Sequence, residues 1–549
     1  MLNDSSFPPT PPDSDSSKEN DLTALPRRDF IKVAGAGAGM MLLGGALPAN
    51  AAPVPGIRRA PFIRTHNPSP DIVVIGAGAW GGWTSLNLRK MGANVTMIDA
   101  YGPGNARSTS GDESRGVRSS YGDKQGQLGE LWMLWARESI KRWIAFDDEW
   151  GKTFRLNLFH TTGDLILRNE WDNLQLRTKV WWDKHKIPYE ILKPEDVKKS
   201  FPVISMDDIT AVLYEPDAGV VRARRAAQTV ASVFETLGGK IVIGRVQPLT
   251  HPSGKIDGVV LDTGQTIRAG TFVYCVGPWL GKTFPDLFAK KTRVPIGYVC
   301  YFGTPINDQR FTYPNLPSFN FPGVTGWPAL PVDNRGFRVR GAERAPGDPG
   351  QGGPAGNNPG GAGRGGNAVG GAANPASGNA NNGGGRGGNG GGGGGRGGGG
   401  NGGGGGGNNQ QADVPPQQQD PDTSDRWADQ SRIDGSRRFV AHRFPLLKDA
   451  PIAQTHACHY ESTVSGNFII DKHPMLSNAW IAAGGNAEGF KFGPTVGEYI
   501  AQRVMGIEGD PGIAKGFKIP DKEYEPPPTP GTPADSARGR GGRPPGSTY

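Results

Sequence analysis

Gly76, Gly78 and Gly81, followed 23 residues after the first by Asp99, have the types and spacing to hold a dinucleotide. In such a Gly-x-Gly-x-x-Gly run the first glycine makes a tight turn and the second lets the backbone approach a pyrophosphate. The third lets a helix pack closely on a strand. The positive end of that helix faces the phosphates, and the acid accepts hydrogen bonds from ribose hydroxyls. The motif alone does not choose between NAD and FAD. A second place for chemistry is Cys458, in the alternating stretch His456-Ala457-Cys458-His459-Tyr460. On a strand, His456, Cys458 and Tyr460 share one face. Cys458 is there a reactive thiol or a buried apolar residue; a metal site with both histidines is disfavoured, because His459 points to the other face.

The elements around the glycines meet the positional requirement. Asp71–Ile75 is a continuous apolar strand of the kind buried on both faces of a parallel sheet. Residues 79–91 read as a helix, Gly92-Ala93-Asn94 breaks it, and 95–98 form a second strand ending in Asp99. Residues 240–244 and 271–276 are further short strands, with the hairpin signals Pro252-Ser253-Gly254 and Thr263-Gly264 between them. The 549 residues include 86 Gly and 48 Pro, an excess concentrated in 344–419 and 520–549. What is left is ample for a buried cofactor and a substrate domain. The net charge of +8 does not imply a nucleic-acid partner, since several of the arginines lie in the leader and the glycine tract. Cys275, Cys300 and Cys458 are too few for a disulfide framework. In the leader, Arg27-Arg28 precede Phe30 and Lys32, an apolar run over 33–47 follows, and Ala49-Asn50-Ala51 is a small-x-small cleavage pattern. This reads as a twin-arginine export signal, with an apolar run too short to span a bilayer. The mature chain is expected to begin near Ala52 and to work in the periplasm or outside the cell.

The segment Arg107-Ser108-Thr109-Ser110-Gly111-Asp112-Glu113-Ser114-Arg115-Gly116-Val117-Arg118 resembles the flavin-facing loop of the monomeric sarcosine oxidase group. That group, with N-methyltryptophan and fructosyl-amino-acid oxidases, lies within the D-amino-acid-oxidase-like flavoproteins. The usual loop is Gly-Asp-x-Arg-x-x-Arg, so this chain carries one extra residue before Arg115. Glu215-Pro216-Asp217-Ala218-Gly219-Val220 is similar to a family turn, and 272–279, ending in Gly277-Pro278-Trp279, to the strand beside the cofactor. Cys458-His459-Tyr460, Phe468-Ile469-Ile470-Asp471-Lys472-His473-Pro474 and Gly489-Phe490-Lys491-Phe492 complete the succession. The resemblance implies FAD and an α/β, two-domain architecture: a Rossmann-like FAD-binding domain from 70–150, 220–290 and 445–505, interleaved with a mixed-sheet substrate domain from 151–219 and 291–444.

It also implies roles. Cys458 would be joined to the flavin 8-methyl carbon as a thioether. Arg115 would lie over the isoalloxazine face and Arg118 would fork onto a substrate carboxylate, as a lysine could not; structural ion pairing is the alternative for each. Lys491, before a helix beginning near Pro494, would stabilise the reduced ring and touch the carboxylate, unless it is a solvated surface lysine. Tyr460 is a pocket tyrosine or core packing. Gly277, Trp279, Gly489, Arg107 and Ser108 would contact the cofactor. The oxygen-activating lysine of the group is replaced in Gly336-Phe337-Arg338-Val339-Arg340 by Arg338, which puts oxygen as acceptor in question. The expected reaction is oxidation of the C–N bond of an amine or amino acid to an imine by a monomer without a membrane span. Electrons would pass to oxygen or, in a dehydrogenase of the same fold, to a quinone or cytochrome. An inactive FAD-binding protein is the third reading. The tract over 344–419 cannot bury apolar surface and reads as a disordered insertion at a surface turn, and 506–549 as a Pro/Gly-rich tail.

Overall fold

The computed structural model describes residues 55–57, 69–124, 127–249, 253–332, 335–343, 420–507 and 509–524. The expectations for the leader, the glycine tract and most of the tail fall outside them. The strand Asp71–Ile75 lies near the middle of a six-stranded sheet, parallel to Thr271–Tyr274 on one side and Asn94–Asp99 on the other. Lys240–Ile243 and Ala479–Ala483 extend the parallel set, and Ile469–Lys472 closes one edge antiparallel. The apolar run of the first strand has a simple cause. Ile72 and Val74 enter the core beneath the helices, whereas Val73 and Ile75 enter a second core on the opposite face with Leu280 and Phe284. Both faces are covered, so both need apolar side chains. The helix Ala79–Lys90 follows directly and packs on the helix Gly493–Val504, where a Cβ at Gly497 would stand 2.4 Å from that of Trp83.

A second sheet has eight strands in the order 452–459, 296–302, 337–340, 324–327, 318–321, 164–168, 211–215 and 190–192. Its pairs are antiparallel except for Ser318–Phe321 beside Asp164–Arg168. Alternation assigns its faces. Phe302, Phe319, Phe337 and Val339 join an apolar core with Phe439 and Val440 of the helix Gln430–Arg443. Val299, Arg338 and Arg340 point the other way. The strand Ile452–His459, grouped from sequence with the dinucleotide segments, pairs with Ile296–Phe302 and so belongs to this second sheet. Residues 445–505 therefore serve both sheets. No helix among the described residues is long and apolar enough to cross a membrane.

Candidate functional site

A cleft of about 330 Å³ opens at the ends of the first parallel strands, within the range of cofactor and ligand sites. Its floor is the glycine loop. Gly76 has φ +104°, a conformation that favours glycine, and a Cβ there would lie 2.3 Å from the Cys275 carbonyl oxygen. A Cβ at Gly81 would lie 1.8 Å from the Gly76 oxygen, so only glycine lets the helix sit against the turn. Gly78 faces the cleft, and the nearest atom to a Cβ there is Ser110 Oγ at 3.2 Å. The first free N–H of the helix, that of Ala79, donates to this same Oγ at 2.9 Å. This is a cradle shaped for a phosphate at a helix N-terminus. Asp99 lines the cleft and already accepts three backbone N–H bonds, from Ala77, Tyr101 and Gly102 at 2.8–2.9 Å. Its carboxylate is thus fixed in place at the ribose end. Gly277, Trp279, Ser108 and Gly489 line the same cleft. Arg107 does not: its guanidinium reaches out over the Tyr101 ring and donates to the Asp422 carbonyl at 3.2 Å.

A smaller cavity adjoins the cleft and shares Thr109, Arg115, Tyr460, Ala487 and Phe490 with it. Arg118, Arg338, Arg340, Lys491 and Cys458 complete its reactive wall. Arg115 is paired with Asp112, and its Nη2 lies 3.0 Å from the Cys458 sulfur. Asp112, 1 % exposed, also receives Arg338 Nη2 at 3.1 Å and the Tyr301 hydroxyl at 2.9 Å. Burial opposes ionisation of Asp112, but Arg115 and Arg338 hold it well below the usual carboxylate range. Arg338 is 2 % exposed and lies 3.9 Å over the Trp327 ring. Lys491 is buried, ion-paired with Glu488, and donates to the Tyr121 hydroxyl at 2.7 Å. Burial, against the pull of Glu488, pushes Lys491 down to about 8. Asp164, 3.9 Å from Arg118, is pushed up to about 7 by burial, with Arg118 opposing. Burial raises the Cys458 thiol while Arg115 draws it down. Of the three cysteines, Cys458 alone has a guanidinium at hydrogen-bond distance; Cys275 is pushed by burial up to about 12.

A family model described as DAO, FAD dependent oxidoreductase, matches residues 71–380 and 387–503. The chain belongs to this family. Human peroxisomal sarcosine oxidase is 23 % identical over 79 % of this chain and 92 % of its own length. The monomeric sarcosine oxidase of Bacillus sp. is also 23 % identical, with the same coverages. Among solved structures, fructosamine oxidase (Amadoriase II) of Aspergillus fumigatus aligns at a TM-score of 0.59 with 20 % identity, covering 82 % of this chain and 89 % of its own. L-proline dehydrogenase from P. horikoshii aligns at 0.57 with 17 % identity, over 82 % and 96 %.

The residues of the cradle fit the FAD of this family: bare glycines, a helix N-terminus and a fixed acid. Sequence reasoning assigned no role to Asp112, Glu488, Tyr121, Asp164 or Arg340. Asp112 and Glu488 stood in view beside the motif arginine and lysine, three residues from each partner, which is a usable signal for an ion pair. Asp422 was also missed. It follows the glycine tract, lines the cleft, and accepts from Trp279 Nε1 at 2.8 Å, Arg245 at 3.0 Å and Lys282 at 2.6 Å.

Proposed function

We propose that this chain oxidises the C–N bond of an amine or N-substituted amino acid to an imine, which water then hydrolyses. The observation that carries this reading is the cation-lined cavity opening on the dinucleotide cleft through Arg115, Thr109 and Tyr460. The family supports it, as do relatives named sarcosine oxidases and N-methyl-L-tryptophan oxidases. When bound, FAD supplies the two-electron oxidant. Arg118 and Lys491 bind the substrate carboxylate, and Tyr121 and Glu488 keep the lysine aimed and charged. No protein base is required if the amine arrives unprotonated. Phe490 and Trp327 keep water from the reacting carbon. Arg115 holds the Cys458 thiol and offsets part of the burial that keeps it protonated; the thiolate is the form that would join the flavin 8-methyl carbon. The leader with Arg27-Arg28 supports export in the folded, cofactor-loaded state.

Oxygen, giving hydrogen peroxide, is the acceptor of the main reading. A quinone or cytochrome is favoured by one observation: Arg338 is packed between Trp327 and Asp112 rather than standing free beside the cleft. Anaerobic bleaching of the flavin by N-methyl, cyclic and sugar-linked amino acids tests the reading, and bleaching by none of them sinks it. Peroxide release in air separates the acceptors. Arg338→Lys should speed reoxidation by air more than it changes anaerobic reduction. Acid precipitation should leave yellow colour in the pellet, and Cys458→Ser should release it.

A further inference from the structure

Arg340 is the charged side chain of the cavity for which the reaction above has no use. It ends the strand Phe337–Arg340, whose Phe337 and Val339 enter the apolar core while Arg338 and Arg340 face the cavity. Its guanidinium lies beside Gly297, where a Cβ would stand 3.3 Å from Nη2. The neighbouring strand thus leaves room for that group and little for a second side chain.

The other cations on this wall have carboxylates of their own. Arg115 and Arg338 share Asp112, Lys491 has Glu488, and Arg118 faces Asp164. Among the described residues Arg340 forms no hydrogen bond and no ion pair. The favourable fields at Arg340 come only from the Tyr460 hydroxyl and from Glu488, itself ion-paired with Lys491. A guanidinium without a direct partner in a confined site is costly to keep, and a planar fork of donors suits a carboxylate. Arg340 lines the smaller cavity and not the cleft, which separates it from the dinucleotide phosphates. With the common carboxylate on Arg118 and Lys491, one cation is left over.

We infer that Arg340 receives a second carboxylate, so that the preferred substrates are N-substituted amino acids with an acidic side chain, such as N-alkyl aspartates. The substrate class rests on the C–N oxidation reading; the dianion site does not. Two measurements on the flavin-loaded protein keep these apart. In the first, succinate and propanoate are titrated and the flavin spectrum is followed, with no amine present. Succinate should bind at least about tenfold more tightly, and Arg340→Gln should lower that ratio about tenfold, the size of one charge-assisted hydrogen bond. Arg340→Lys, which keeps the charge, should retain part of the ratio. In the second, N-methylaspartate should reduce the flavin anaerobically at lower concentration than N-methylalanine. Succinate discrimination that depends on Arg340, with neither these two amines nor the cyclic and sugar-linked amino acids reducing the flavin, would uphold the dianion site and sink the oxidation reading. Reduction by N-methylalanine at concentrations as low as those for N-methylaspartate would overturn the Arg340 inference and leave that reading standing. A succinate-to-propanoate ratio unmoved in both variants at full flavin content would overturn it equally.

Discussion

Asp112 balances two guanidinium groups with one carboxylate; Asp112 and Arg338 are shielded from water, and Arg115 is partly exposed at the cleft. Removing its charge leaves Arg115 and Arg338 facing each other in low dielectric. Breaking a buried pair in this way costs about 3–5 kcal/mol. Asp112→Asn should therefore lower the denaturation midpoint of the flavin-loaded protein markedly at neutral pH, and an unchanged midpoint would mean that the two arginines find other partners. Lys491 allows a test by pH. Burial pushes it down to about 8, so it is cationic below that value and loses its proton as pH rises through it. An amine-free carboxylate should bind progressively more weakly across that range, as followed by the flavin spectrum. In Lys491→Met the inflection near pH 8 should vanish and binding at pH 7 should already be weak. The sequence pointed to Lys491 and Arg118 through segments that resemble the family's motifs, and both line the smaller cavity. The ion pairs that restrain the arginines were not legible, since Arg338 meets Asp112 across 226 residues and no local pattern announces such a meeting.

At the level of elements, legibility follows how local the cause is. The strand, turn, helix and strand over 71–99 were readable nearly to the residue, because apolar runs and glycines state them within a few positions. In the second sheet, Ser318–Phe321 and Val324–Trp327 have four residues each and choose neighbours by register, which a single sequence does not display. The strand of Cys458, grouped by the resemblance with the dinucleotide segments, likewise finds its neighbour, Ile296–Phe302, by register. For the glycine loop the demand is steric and strong. In Gly81→Ala the methyl group would meet the Gly76 carbonyl oxygen at 1.8 Å, a backbone atom that no rotamer change can move aside, so the helix must retreat from the turn. The purified variant should carry little flavin, as read by the ratio of visible to ultraviolet absorbance. The segment around Asp422 makes a gentler prediction. Trp279, Arg245 and Lys282 hold its carboxylate at the cleft, and Ser424 bonds to His459 beside Cys458. In a Cys458→Ser background, where the cofactor would be free to leave, Asp422→Ala should release flavin faster than the parent on dilution. Equal release rates would show that this segment does not retain the cofactor.

Across the whole molecule, the two sheets are built from segments that alternate along the chain, so a connection can lengthen only where it leaves both cores undisturbed. The tract over 344–419 interrupts the chain between two such anchored points. Glu343 N–H bonds to the Gly435 carbonyl at 3.0 Å, and Asp420 is tied to Lys282 at 2.7 Å. Each anchor is made by residues outside the tract. Its composition of Gly, Asn, Gln, Pro and Ala offers little apolar side-chain surface. Loop closure costs entropy only as the logarithm of length, so a long connection at this place costs little more than a short one. Removing residues 349–410 should then leave the fold and flavin content intact and raise stability by roughly 1–2 kcal/mol through the shorter loop. Flavin absorbance per chain and the melting midpoint of the flavin-loaded protein measure both effects. A midpoint above that of the full chain agrees with a plain connector, and an unchanged one would mean that the loop-closure gain is absent. A deletion variant that aggregates or purifies without colour would show that the tract supports the anchors it joins.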